Sequence, residues 1–123
     1  MELLRASLLI FFGGGLGSLL RFAISRVNTQ LVPSNFPTGT LIANVLACTI
    51  LGLIVIYSKG KLDENIWLKY FLVIGFCGGF STFSTFGYET VQLFRGGYTF
   101  IALANIAISL SVGFLILWVF TKS

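Results

Sequence analysis

The sequence predicts an all-α membrane protein of four transmembrane helices with a break in the third. Composition is the first reason. Of 123 residues, 56% are hydrophobic and 10% charged, against about 25% charged in soluble chains, and the mean hydropathy is +0.95. Spacing is the second. A helix needs about 20 residues to cross the ~30 Å hydrocarbon layer, and four such windows fit, at residues 6–25, 38–57, 67–88 and 99–120. They make one transmembrane domain of residues 1–123 and leave almost nothing for a soluble one. The third reason is the stretch GFCGGFSTFSTF, residues 75–86, where glycines and hydroxyls interrupt a span.

The first window is expected to be a retained helix and not a signal peptide, because its glycines and Arg21 interrupt the apolar run where a cleavage site would be wanted. Within GGGLGSLLRF, residues 13–22, Gly13 and Gly17 form a small-xxx-small pair that lets helix backbones touch in lipid. This helix therefore expects a close neighbour. Arg21 is costly at membrane depth, about 2.5 to 3.5 kcal/mol at a helix centre and less near an interface. It reads either as a marker of the helix end or as a cation at a vestibule that concentrates an anion.

Residues 27–40 form a turn-rich connection with Pro33 and Pro37, and Pro37 just ahead of the next apolar run suits a helix start. The second span is apolar apart from Thr40 and Asn44, one turn apart on one face, while Gly39, Ala43 and Ala47 offer a contact strip. A carboxamide in hydrocarbon is expensive without partners. Asn44 thus faces protein or water, as interhelical glue or as a pore-lining donor.

A short charged loop leads to Trp67 and Tyr70, placed as interfacial anchors for the third span. Irregular backbone at membrane depth survives only when buried in protein or lining a watery cavity, and Gly75, Gly78 and Gly79 make a break easy. An opening near residues 78–81 would free carbonyls able to bind a hard cation and start a new helix in which Phe83 and Phe86 share a face. The plainer alternative is a packing stripe of Phe76, Phe80 and Phe83 with hydroxyls bonded back to the preceding turn. In the fourth span Asn105, Ser109 and Gly113 make a narrow polar and small stripe, and Trp118 closes the far end.

Several function classes lack material. There is no histidine, and Glu2, Asp63, Glu64 and Glu89 lie at span ends or in loops, so acid–base catalysis is not expected and the protein reads as no enzyme. Cys48 and Cys77 fall in spans without metal-ligand spacing and read as packing residues. Basic residues are scattered over short loops, which argues for a lipid bilayer as partner and against nucleic acid. Arg5, Lys59, Lys61, Lys69 and Lys122 on one side oppose Arg26 and Arg95 on the other, with Arg21 nearby. So shallow a bias specifies orientation weakly, and insertion both ways round is plausible. The polar inventory of Thr40, Asn44, Ser81, Thr82, Ser84, Thr85, Asn105 and Ser109 supplies donors among phenyl rings with electropositive edges. That lining suits a small anion.

The blocks GGGLGSLLRF, PTGTLIANVLAC, GFCGGFSTFSTFGYE and ANIAISLSVG, one per span and in order, resemble the four signature blocks of the Fluc (CrcB) fluoride channels, over essentially the whole chain. The resemblance implies an antiparallel, dual-topology homodimer in the cell's inner (plasma) membrane that exports fluoride passively to relieve its toxicity. It implies ring edges of Phe83 and Phe86 facing fluoride in two pores, Asn44 as pore asparagine, and Arg21 as the first-block arginine. It also implies a hydroxyl track of Ser84, Thr85, Thr40 and Ser109. A central structural Na⁺ is implied on the backbone carbonyls of Gly78 and Ser81 from both subunits; the family more often has threonine at the latter place. A rival reading is a small multidrug antiporter, which needs a membrane-embedded carboxylate, and Glu89 is the one acid near a span interior. A purely structural membrane subunit is a further alternative.

Overall fold

A computed structural model of the chain describes residues 1–32 and 34–122; Pro33 of the turn-rich connection lies outside the described residues. Four apolar helical stretches are long enough to cross a membrane, at Glu2–Leu31, Thr38–Ser58, Trp67–Arg95 and Thr99–Thr121. The first is α1 and the second α2. The third divides into α3, residues 67–80, and α4, Phe83–Arg95. The last is α5, Thr99–Thr121. A 3₁₀ turn at Leu62–Glu64 precedes α3.

The sequence explains where these elements stop. The α2 helix ends on Lys59 in the left-handed conformation, a common helix terminus. The turn into α5 uses Gly97 at φ +86°, a value that costs glycine nothing. The start of α2 is tied to α1 by a hydrogen bond from the Asn28 amide to the Thr38 hydroxyl.

The close neighbour expected of Gly13 and Gly17 is α3. A Cβ at Gly13 would collide with the Phe71 carbonyl, and one at Gly17 with the carbonyl of Phe76 and, at 2.7 Å, with the amide nitrogen of Phe80. From the other side, a Cβ at Gly75 would lie 3.1 Å from the Gly13 Cα, and one at Gly79 would lie 3.0 Å from the Gly14 Cα. Two parallel helices therefore meet backbone to backbone, as small residues allow in lipid. Over Trp67–Cys77 α3 is wound in the wider π form, returning to α geometry at Gly78–Phe80. The wider turn matters for register. Carbonyls five residues apart on α3, at Phe71 and Phe76, meet glycines four residues apart on α1.

The α2 helix packs through Gly39, Thr40, Ala43 and Ala47, all buried, which is the small strip legible in its sequence plus one hydroxyl. Ala43 and Ala47 join Phe80 in the core, against Ile24, Ile50 and Phe76. Further along, Gly52 lies against Phe120 and Cys48 against Gly113, so α2 runs beside α5.

Candidate functional site

The backbone opens at Ser81 and Thr82, which take extended conformations at φ −83°, ψ 158° and φ −153°, ψ 122°. The glycines do not mark the opening itself. Gly78 and Gly79 stay helical, and Gly75 and Gly79 are used for contact with α1. What ends α3 is a carboxamide from another helix. Asn44 Oδ1 accepts the Thr82 amide at 2.8 Å, and Asn44 Nδ2 donates to the Thr82 carbonyl at 3.3 Å. In a continuous helix the Thr82 amide would donate to the Gly78 carbonyl; here it is diverted.

The next helix starts on the same residue. Thr82 is the N-cap of α4, its hydroxyl accepting the Thr85 amide at 3.1 Å, and Ser84 Oγ lies 3.5 Å from that hydroxyl. The Ser81 hydroxyl is turned back onto the Cys77 carbonyl at 2.8 Å. On the other flank, Arg21 Nε donates to the Gly79 carbonyl at 3.1 Å. A cation thus sits at the C-terminal end of α3, where the helix dipole favours it.

The break also sorts the phenylalanines. Phe80 is 1% exposed and stacks at a tilt on Phe76, whereas Phe83 is 81% exposed. The continuous Phe76–Phe80–Phe83 stripe is therefore replaced by a core pair and an outward ring. Phe83 lies 6.1 Å from Phe86, centroid to centroid, at an interplanar angle of 46°.

Farther from the break, Thr40 is buried and lines a cavity of about 600 Å³ beneath the α1–α2 connection, together with Ser25, Asn28, Glu89 and Gln92. Glu89 Oε1 is shielded and has no hydrogen-bond partner among the described residues. Ser109 is half-buried and bonds to Asn105, which in turn bonds to Thr90. The structure thus brings Asn44, Gly78, Ser81, Thr82, Phe83, Ser84, Thr85 and Phe86 to one junction, with Arg21 at its edge. Thr40 and Ser109 stand apart from it. Sequence reasoning did not single out Thr90, and no local pattern marks it.

The junction also presents oxygen donors. Gly78 is exposed and its carbonyl is released from the helical ladder by the diverted Thr82 amide, while Ser81 is extended, so its carbonyl leaves the helix axis. Oxygen donors of this kind fit a hard monovalent cation.

Four membrane-length helices and a span opened around a half-buried carboxamide define a multi-pass membrane protein with a discontinuous helix. The chain belongs to the CrcB (Fluc) family: the family model described as CrcB-like protein, Camphor Resistance (CrcB), matches residues 8–120. Among similar proteins, the fluoride-specific ion channel FluC of Dehalococcoides mccartyi is 38% identical over 112 residues, covering 91% of this chain and 86% of that protein. FluC of Pyrococcus horikoshii is 47% identical over 104 residues, covering 85% and 83%. FluC of Flavobacterium psychrophilum is 37% identical over 109 residues, covering 89% and 88%. All three are named as ion channels, a non-enzymatic function.

Proposed function

We infer that the protein is a passive, highly selective fluoride channel of the inner (plasma) membrane, through which F⁻ leaves the cell down its electrochemical gradient and fluoride toxicity is relieved. One observation carries the reading. The Asn44–Thr82 clamp ends α3 and turns Phe83 outward beside Phe86, in a chain whose relatives are named fluoride-specific ion channels.

Fluoride is small and strongly hydrated, so a pore must replace water with donors yet hold the ion weakly enough to release it. Asn44 uses one amide hydrogen on Thr82 and, being half-buried, has a second to offer. The hydroxyls of Ser84 and Thr85 follow along α4, and Thr40 lies farther along the same face of α2. Ring edges of Phe83 and Phe86 add positive potential without tight binding. Larger halides are refused by width. Arg21 keeps guanidinium hydrogens beyond its bond to Gly79 and raises the local anion concentration.

The working unit in this reading is an antiparallel, dual-topology homodimer with two pores, in which the exposed Phe83 and Gly78 face the second protomer. Gly78 and Ser81 carbonyls from both protomers would hold a central structural Na⁺, which supplies a fixed positive charge there.

The test is efflux from liposomes loaded with potassium fluoride, started with valinomycin and followed with a fluoride electrode, with chloride as control. Fluoride efflux without chloride efflux, driven by the electrical gradient alone, is the expected result. Dependence on a proton gradient would move the protein to the antiporter class. Impermeable liposomes containing folded protein would leave a structural subunit.

A further inference from the structure

The α1 helix is longer than the hydrocarbon it crosses. Its 30 residues reach about 45 Å at about 1.5 Å per residue, against about 30 Å of hydrocarbon and up to about 45 Å with the headgroup layers. One end therefore stands among headgroups. Residues 8–20 are apolar or glycine apart from Ser18, whereas SRVNTQ, residues 25–30, is polar except for Val27, so that end is the C-terminal one.

Two hollows flank it. One, of about 370 Å³, lies against Phe22, Ser25, Arg26, Thr29 and Gln30. The other, of about 340 Å³, has an apolar lining apart from Asn28, including Ala23, Ile24, Val27 and Leu31 of α1 and Ile42 of α2. At about 100° of rotation per residue, the two sets occupy adjoining faces of α1, with Arg26 and Gln30 on the border beside Ala23 and Val27.

No acid neutralises Arg26. It is exposed and forms no ion pair among the described residues. The chain has no Asp or Glu from Leu3 to Leu62, and Glu89, which lines the neighbouring cavity with Ser25 and Thr29, forms no ion pair either. Thr29 spends its proton on the Ser25 carbonyl at 2.8 Å, so the exposed donors of the polar hollow are the Arg26 guanidinium and the Gln30 amide. Snorkelling alone explains an arginine at this depth. It does not explain an apolar groove open beside it.

We propose that the C-terminal end of α1 is a binding site for an anionic phospholipid: the phosphate pairs with Arg26 and Gln30, while the first carbons of one acyl chain run along the groove from Val27 toward Ala23, the direction of the bilayer centre. Depth and charge select this occupant. A zwitterionic headgroup brings its own ammonium toward the guanidinium, and a free phosphate leaves the apolar groove unused. One basic residue close to an anionic membrane surface favours such lipids about fivefold.

The experiment is native mass spectrometry of the full-length chain, released from nanodiscs that hold equal amounts of phosphatidylglycerol and phosphatidylcholine with identical acyl chains. Retained phosphatidylglycerol is expected to exceed phosphatidylcholine at least about fivefold. Arg26→Gln should bring the two to parity. Arg95, at the end of α4 beside the same end of α1 but outside both hollows, is the control; Arg95→Gln should keep the preference within about twofold. Val27→Asn should lower retention of both lipids and spare their ratio. Equal retention by the unmodified protein, or a preference that survives Arg26→Gln, would overturn the site. An equal loss in Arg95→Gln would make the preference a diffuse surface effect and overturn it as well. Displacement of the lipid by an equal concentration of glycerol phosphate would show that the phosphate alone is read, against a lipid site. Should Arg26→Gln fail to fold, Gln30→Glu, which sets a like charge beside the phosphate, must abolish the preference in its place. None of these results depends on whether the chain conducts fluoride.

Discussion

Asn44 on α2 binds both backbone groups of Thr82, accepting its amide at 2.8 Å and donating to its carbonyl at 3.3 Å. A single side chain thus takes over the ladder partners that a continuous helix would have supplied. It leaves the carboxamide with one spare hydrogen, which the proposed channel would offer to the ion.

Replacing that residue should therefore cost more than a lost contact. Asn44→Ala leaves the Thr82 amide without its acceptor, worth about 1–3 kcal/mol for a shielded backbone group. Asn44→Asp keeps an acceptor but removes the donor and places a negative charge on the proposed anion path. We expect fluoride efflux to fall at least about tenfold in both, with the Asp variant the more severe, measured with a fluoride electrode. Normal efflux in the Asp variant would remove Asn44 from the pathway.

For the rings, Phe83→Ile and Phe86→Ile retain bulk and apolarity but discard the electropositive edge. Severe loss of fluoride efflux is expected with the oligomeric state unchanged by size-exclusion chromatography with light scattering. Phe83 is the cleaner probe. It is 81% exposed in the single chain and lies outside the core pair of Phe76 and Phe80, so its removal should not disturb packing there.

The glycine seam allows an internal control. Gly17→Ala puts a methyl group against the backbone of Phe76 and Phe80, whereas a Cβ at Gly15 meets nothing within 4 Å among the described residues. Overpacking of this kind costs about 1–3 kcal/mol, while glycine to alanine at an open helical position gains up to about 1 kcal/mol. Thermal unfolding in detergent should separate the two, with Gly17→Ala below the unmodified protein and Gly15→Ala at or above it.

Sodium removal tests the carbonyl site independently of transport. Exchanging Na⁺ for N-methylglucamine should lower the unfolding temperature, because a ligand bound to the folded state alone stabilises it. Fluoride efflux should not follow an imposed sodium gradient. A gradient-coupled flux would make Na⁺ a transported ion and remove its structural role.

Much of the fold was legible because its causes are local. Hydropathy marks the four helices, and the i, i+4 repeats of small residues at Gly13 and Gly17 and at Ala43 and Ala47 mark faces that became contacts. The location of the break was less legible. Glycines drew attention to residues 78–81, but Gly75 and Gly79 serve the approach of α1, and the opening is set by Asn44, which is 38 positions away from Thr82 in sequence. The π winding of Trp67–Cys77 has no local signature either, since it accommodates the register of the neighbouring helix. Thr90 was invisible for a related reason. A threonine bonded to its own preceding turn is ordinary; only the arrival of Asn105 from α5 makes it part of a series.

The dependence of the break on Asn44 has a consequence for biogenesis. Residues 67–95 alone form one membrane-length apolar segment, and in isolation nothing but α2 supplies the Thr82 backbone with its replacement partners. When helices insert first and associate afterwards, this segment should enter the bilayer as an unbroken rod. It would then open during assembly, as α2 docks alongside it. The junction is then a product of tertiary assembly, and variants at Asn44 should yield a chain that inserts normally yet matures incorrectly.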